Sequence, residues 1–95
     1  MYLKSTLPHS TAASEIPLLL TGFLLSDEAR LERFLALTGI TQGDLETRMG
    51  ETGFQTFVMD YALEDQSLVL EFASTHNLKP EALLAARRHL PGAQF

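Results

Sequence analysis

The sequence predicts an all-α fold, a compact bundle of about six short helices, and three observations predict it. Apolar residues recur at the 3.6-residue spacing of helices in six successive segments, each bounded by recognisable start and stop residues. No segment alternates apolar and polar residues for long enough to make a strand. The pattern of apolar positions and punctuation recurs after 38 positions, so the bundle is expected to form two pseudo-repeated three-helix halves.

Taken in order, residues 1–13 contain Pro8, His9 and several Ser and Thr without an apolar period, and suggest a flexible N-terminal tail. The first helix is expected over 15–25, with Ser14 as cap and Pro17 in the first turn, where its missing N–H costs nothing. Leu18, Leu19, Leu20, Phe23, Leu24 and Leu25 make it apolar almost all round, which places it at the centre. Gly22 in its middle costs about 1 kcal/mol against alanine, which predicts the close approach of another helix as compensation.

The second helix carries the clearest signals, over 26–40, SDEARLERFLALTGI. Ser26 is the expected N-cap, and Asp27 and Glu28 suit the positive end of the helix dipole. Leu31, Phe34, Leu35 and Thr38 form one face, and Gly39 suits the left-handed position that ends a helix. Thr41 caps the third helix, with Asp44 three residues on as a capping box. Leu45 and Met49 face inward there, and Gly50 ends it. The fourth is expected over 52–63, burying Phe54, Phe57, Val58 and Tyr61. Asp65 caps the fifth, which runs to about residue 76 and buries Leu68, Val69, Phe72 and Ala73. Pro80 marks the first position of the sixth, Leu83, Ala86 and Leu90 make its stripe, and Pro91-Gly92 stops it. Residues 14–92 therefore form a single helical domain, with 93–95 as a C-terminal tail.

The recurrence aligns Asp27 with Asp65, Leu31 with Val69, Phe34 with Phe72, Leu35 with Ala73, Thr38 with His76 and Leu45 with Leu83. Gly39 meets Asn77, the other residue that tolerates a left-handed backbone. Upstream, Ile16, Leu19, Leu20, Phe23 and Leu24 meet Phe54, Phe57, Val58, Tyr61 and Ala62. Short links place sequence neighbours side by side, and a pseudo-twofold axis would bring the first and fourth helices together at the centre.

Ninety-five residues, 45% of them apolar, suit one domain with one modest core. The absence of cysteine removes disulfides, thiolate zinc sites and cysteine nucleophiles together, and fits a reducing cytoplasm. A net charge of −5 disfavours nucleic acid and anionic membranes as partners. The most hydrophobic run is ten residues long, against about 20 for a bilayer-spanning helix. Lys4 as the only early basic residue, Pro17 within the run and Ser26-Asp27-Glu28 after it argue against a signal peptide.

Few residues suggest chemistry. His76 at the end of the fifth helix is placed as a residue in the last turn would be, favoured by the helix dipole, and no H-x-x-x-H or H-E-x-x-H spacing accompanies it, His9 or His89. Glu64 and Asp65 adjoin as a helix end and the next cap. Gly39, Gly43, Gly50 and Gly53 are spaced as helix stops rather than as a phosphate cradle. No catalytic, metal-binding or cofactor-binding residue is predicted. Arg30 and Arg33 share one side of the second helix, and Arg87 and Arg88 cluster at the end of the sixth. These four are the candidate interaction residues, set against ordinary ion pairing with neighbouring carboxylates.

Through SDEARLERFLALTGI, GDL, FQTFVMDYALED, LVLEFA and KPEAL, the chain resembles the bacterial family catalogued as domain of unknown function 3572, found mainly in alphaproteobacteria. The resemblance covers residues 16–92 and implies a cytoplasmic helical protein with no established activity, so no site residue carries over. The expected function is a non-enzymatic helical protein-interaction module, an adaptor or regulator that binds another protein or a second copy of itself. The alternative is a DNA-associated regulator with a helix-turn-helix-like half. It is poorly supplied with readers, since the third helix offers Gln42 and Arg48 amid Asp44, Glu46 and Glu51.

Overall fold

A computed structural model of the chain describes residues 11–92. Within them the chain is all-α: a short 3-10 turn (Ala13–Glu15) leads into α1 (Ile16–Leu25), α2 (Glu28–Thr38), α3 (Gln42–Arg48), α4 (Thr52–Leu63), α5 (Gln66–Thr75) and α6 (Glu81–Arg88). The tail expected for residues 1–13 lies, up to residue 10, outside the described residues, as does the one expected for 93–95.

The helix boundaries follow local chemistry, with two corrections at the N-caps. α2 is capped by Asp27, not Ser26: Asp27 has the extended backbone of a cap (φ −133°, ψ 120°), and its carboxylate accepts from the Ala29 N–H at 3.0 Å. Ser26 still has helical backbone (φ −81°, ψ −9°), and its hydroxyl donates back to the Phe23 carbonyl at 2.9 Å, closing α1. Nor does Ser14 cap α1. It sits inside the 3-10 turn, where the Ala12 N–H donates to the Glu15 carboxylate at 3.1 Å. Pro17 falls in the first turn of α1 as expected.

Thr41 caps α3 by accepting from the Asp44 N–H at 3.0 Å, and Asp65 caps α5 by accepting from the Leu68 N–H at 3.3 Å. α2 ends at Gly39 with φ 76°, and α5 ends through Asn77 with φ 58°. There the Leu78 N–H donates to the Ala73 carbonyl at 2.7 Å, the long bond of a left-handed helix stop. α6 begins at Glu81, one residue later than expected, with Pro80 just ahead of it.

α1 and α4 pack against each other at the centre, α2 lies on α1, α5 lies on α4, and α6 lies on α4, α1 and the 3-10 turn. Six of the pairs 38 positions apart, Ile16 and Phe54, Leu20 and Val58, Leu24 and Ala62, Leu31 and Val69, Phe34 and Phe72, and Leu45 and Leu83, are buried at both positions. The aromatic contacts are exchanged between the halves. Phe23 of α1 meets Phe72 of α5 edge-on at 5.4 Å, and its counterpart Tyr61 of α4 meets Phe34 of α2 edge-on at 4.8 Å. The correspondence fails at the third helix of each half. α6 docks on α4, whereas α3 buries only Leu45 and makes no comparable contact with α1.

Three inward assignments are corrected. Gly22 is exposed, and a Cβ added there would meet nothing within 4 Å among the described residues, so none of α2 to α6 approaches it. α1 is not buried all round, since Leu18 faces water. Phe57 is 41% exposed although it shares the apolar period of α4, and its ring meets those of Phe34 and Phe54 at centroid distances of 6.3 Å each.

Beyond α6 the chain is tied down. The Arg87 guanidinium donates to both carboxylate oxygens of Asp60, at 2.6 and 3.2 Å, and to the Gly92 carbonyl at 3.2 Å. The buried Thr56 hydroxyl donates to the Pro91 carbonyl at 2.9 Å.

Candidate interaction groove

Phe34 separates α2 from α4. Its ring lies between Phe57 and Tyr61, with centroids 6.3 and 4.8 Å away and both contacts edge-on. The two helices therefore meet through aromatic rings rather than through close backbone approach, and an open groove remains above the rings. Arg33, Leu37 and Thr38 line it from α2, and Phe57, Asp60, Tyr61 and Glu64 from α4 and its C-cap. Asp65, Gln66 and Ser67 at the start of α5 close one end. The groove has two lobes of about 460 and 350 Å³ that share Leu37, Tyr61 and Glu64.

The α4 wall follows from helical spacing. Phe57, Asp60, Tyr61 and Glu64 stand at i, i+3, i+4 and i+7, which is one face of a helix. That face is half aromatic and half acidic. Opposite it, Leu37 is 63% exposed, the most exposed of the large apolar side chains in α2 or α4. Arg33 reaches across with its Nε 3.9 Å from the Asp65 carboxylate. Burial raises the Tyr61 phenol above its ordinary value, against the lowering effect of the Arg33 charge and with a further rise from Asp65. The phenol is therefore a neutral hydrogen-bonding group throughout the physiological range.

Behind the groove, a separate pocket of about 100 Å³ brings in Arg30 and Glu71. The Arg30 guanidinium lies 3.7 Å over the Phe23 ring, donates to the Phe23 carbonyl at 3.4 Å, and stands 3.4 Å from Asp27 and 3.7 Å from Glu71. The Arg30 side chain is only 25% exposed, with its guanidinium over the Phe23 ring.

Of the four arginines singled out by sequence, Arg33 thus lines the groove, and Arg30 lies in the smaller pocket behind it, which Arg33 also lines. Arg87 is engaged in the internal clamp on Asp60, whose carboxylate faces the groove on its other side. Arg88 is exposed at the end of α6 and takes no ion pair among the described residues. Sequence reasoning assigned the groove residues Thr38, Phe57 and Tyr61 inward and did not single out Leu37. Leu37 carried a usable signal, a lone apolar side chain on the outer face of α2, beside the Leu31, Phe34 and Thr38 stripe.

The other candidates have structural places. His76 ends α5 half-buried against Phe72 and Phe23, with ring centroids 4.6 and 6.1 Å away. Glu64 ends α4 and Asp65 caps α5. Among the described residues no three His, Asp or Glu side chains converge as metal ligands would, and no helix is long and apolar enough to cross a membrane. In the groove Leu37 and the rings of Phe57 and Tyr61 lie beside Arg33, Asp60, Glu64 and Asp65.

The model of the family described as "Protein of unknown function (DUF3572)" matches residues 10–93. No curated protein and no solved structure matches the chain.

Proposed function

The chain belongs to the DUF3572 family, whose description carries no activity, and from that premise we propose that it is a non-enzymatic protein-interaction module, an adaptor or regulator that receives its partner in the groove between α2 and α4. One observation carries the reading. Leu37 and Phe57, on facing helices, keep 63% and 41% of their surface in water although the rest of the bundle has a well-filled core. Exposed apolar side chains rimmed by polar ones favour association, and a cleft between two helices suits a third helix laid into it. Two of the three carboxylates nearby have structural duties, Asp65 as a cap and Asp60 as the ligand of Arg87, which supports a binding rather than a catalytic role. The reading takes the protein to act in the bacterial cytoplasm, which a cysteine-free sequence suits.

The nucleic-acid alternative loses support at Arg87, because a guanidinium held by Asp60 is not available to a phosphate. The interaction reading is tested by capture from cells of the source organism with the intact protein and with Leu37→Glu, beside light scattering of both. A partner, or a dimer, that is present with the natural residue and absent with Leu37→Glu is expected, with unchanged melting because Leu37 is exposed. A monomer that captures nothing in a Leu37-dependent way overturns it.

A further inference from the structure

We infer that the occupant of the α2–α4 groove is a cationic amphipathic helix, an inference that rests on the interaction reading above. The charges on the groove select the sign. Three carboxylates, Asp60, Glu64 and Asp65, line it, and Arg33 is the only cation among the described residues that do. Arg33 already lies 3.9 Å from Asp65, and Arg87 holds Asp60 from behind, but Glu64 takes no ion pair among the described residues. Glu64 is also one of the three residues that both lobes share, so the uncompensated negative charge sits at the middle of the groove.

The surroundings reinforce this sign. The sequence carries a net charge of −5, and Arg30, Arg33, Arg48 and Arg87 each lie within 4.0 Å of a carboxylate. The long-range field that an approaching segment meets is therefore acidic. A lysine or arginine directed at Glu64 would lay its aliphatic stem across the Phe57 and Tyr61 rings, where a cation over an aromatic face gains further attraction. An apolar residue one helical turn away on the same segment would cover Leu37. Both requirements together describe a helix with one leucine-rich and one basic face.

Charge also argues against a second copy as the occupant. Another exposed apolar face, between α5 and α6, presents Leu70 and Leu84 beside Glu81, the only charged residue among the described residues that line it. Seated in the groove, that face would set Glu81 toward the acidic wall.

The test is an amide-shift titration of the intact protein by NMR. The probe is a helix-forming peptide of leucine and lysine in amphipathic order, with its leucine and glutamate counterpart as control. The lysine peptide is expected to bind, to move the amides of Leu37, Phe57 and Glu64, and to weaken as salt is raised. Leu37→Ser and Glu64→Lys should each weaken it by about tenfold or more, while Leu70→Ser on the other face leaves it unchanged. Equal binding of the glutamate peptide, shifts centred on Leu70 and Leu84, or a dimer that Leu37→Ser dissolves would each overturn the inference. If a native partner is captured through Leu37 while the lysine peptide does not bind, the cationic occupant is wrong and the interaction reading stands.

Discussion

Arg87 of α6 grips Asp60 of α4 with two parallel hydrogen bonds, from Nε at 2.6 Å and from a terminal guanidinium nitrogen at 3.2 Å. The Arg87 side chain is 11% exposed and that of Asp60 46%, so the pair lies at the edge of the core. The same guanidinium reaches the Gly92 carbonyl, so a single side chain joins α4, α6 and the chain beyond α6. Arg87→Ala and Asp60→Ala should each cost about 1–3 kcal/mol, as lost charge-assisted hydrogen bonds at partly buried sites do. The double variant should cost clearly less than the sum, by about 1 kcal/mol, because the residues share one interaction. Arg88→Ala should stay within about 0.5 kcal/mol of the parent. Urea unfolding of the four variants checks all three statements, and full additivity would mean that the pair does not couple α4 to α6.

The exchanged aromatic contacts make a second prediction. Phe34 and Phe72, 38 positions apart, are both fully buried. Each should lose about 3–5 kcal/mol on truncation to alanine. Phe57→Ala, on the same apolar face of α4 as Val58 and Tyr61 by sequence, should lose about 1 kcal/mol or less, since much of its ring already faces water. Thermal or urea unfolding that ranks Phe57 with the other two would place it in the core and remove the floor of the groove.

These contrasts show what local sequence can and cannot disclose. Start and stop signals act within one turn, so Thr41, Asp65, Gly39 and Asn77 were legible as helix ends. Ser26 and Asp27 are both good caps, and the choice between them depends on α1 continuing helically through Ser26, which neither residue states. Phe57 had the correct period for the core. Its exposure depends on how far Phe34 holds α2 from α4, a property of packing between segments. Arg87 resembled a surface cation beside Arg88 because its partner Asp60 lies 27 positions away. The groove was therefore half legible: Arg33 was found from its charge, while Leu37 and Phe57 acquire their meaning only when the helices are assembled.

Two glycines should respond oppositely to alanine. Gly22 is in the middle of α1, faces water and has nothing within 4 Å of an added Cβ. Gly22→Ala should stabilise the protein by about 0.5–1 kcal/mol through helix propensity alone. Gly39 also has space, but its φ of +76° is left-handed. Gly39→Ala should destabilise by about 1 kcal/mol, the cost of forcing a Cβ into that conformation. The melting temperatures of the two variants should move in opposite directions. A loss at Gly22 would show that a helix does approach α1 there.

Tyr61 supplies a pH signature of the groove. Its phenol is raised above the ordinary value of 10.0, first by burial and then by Asp65, against the lowering influence of Arg33. The folded state thus holds the phenolic proton more tightly than the unfolded chain does. The resulting stability is fully present below pH 10.0 and is lost as pH rises from there through the higher folded value. Tyr61→Phe should flatten that alkaline decline, and subtracting its phenolate absorbance from that of the parent isolates the titration of Tyr61 from that of Tyr2. Arg33→Gln should move the titration further up, because the lowering charge is gone. Asp65→Asn should move it down while keeping a competent cap on α5. A Tyr61 that titrates at the ordinary value in the parent, and in neither variant shifts, would mean that water fills the space between Arg33, Tyr61 and Asp65 and that the groove wall is looser than its geometry indicates.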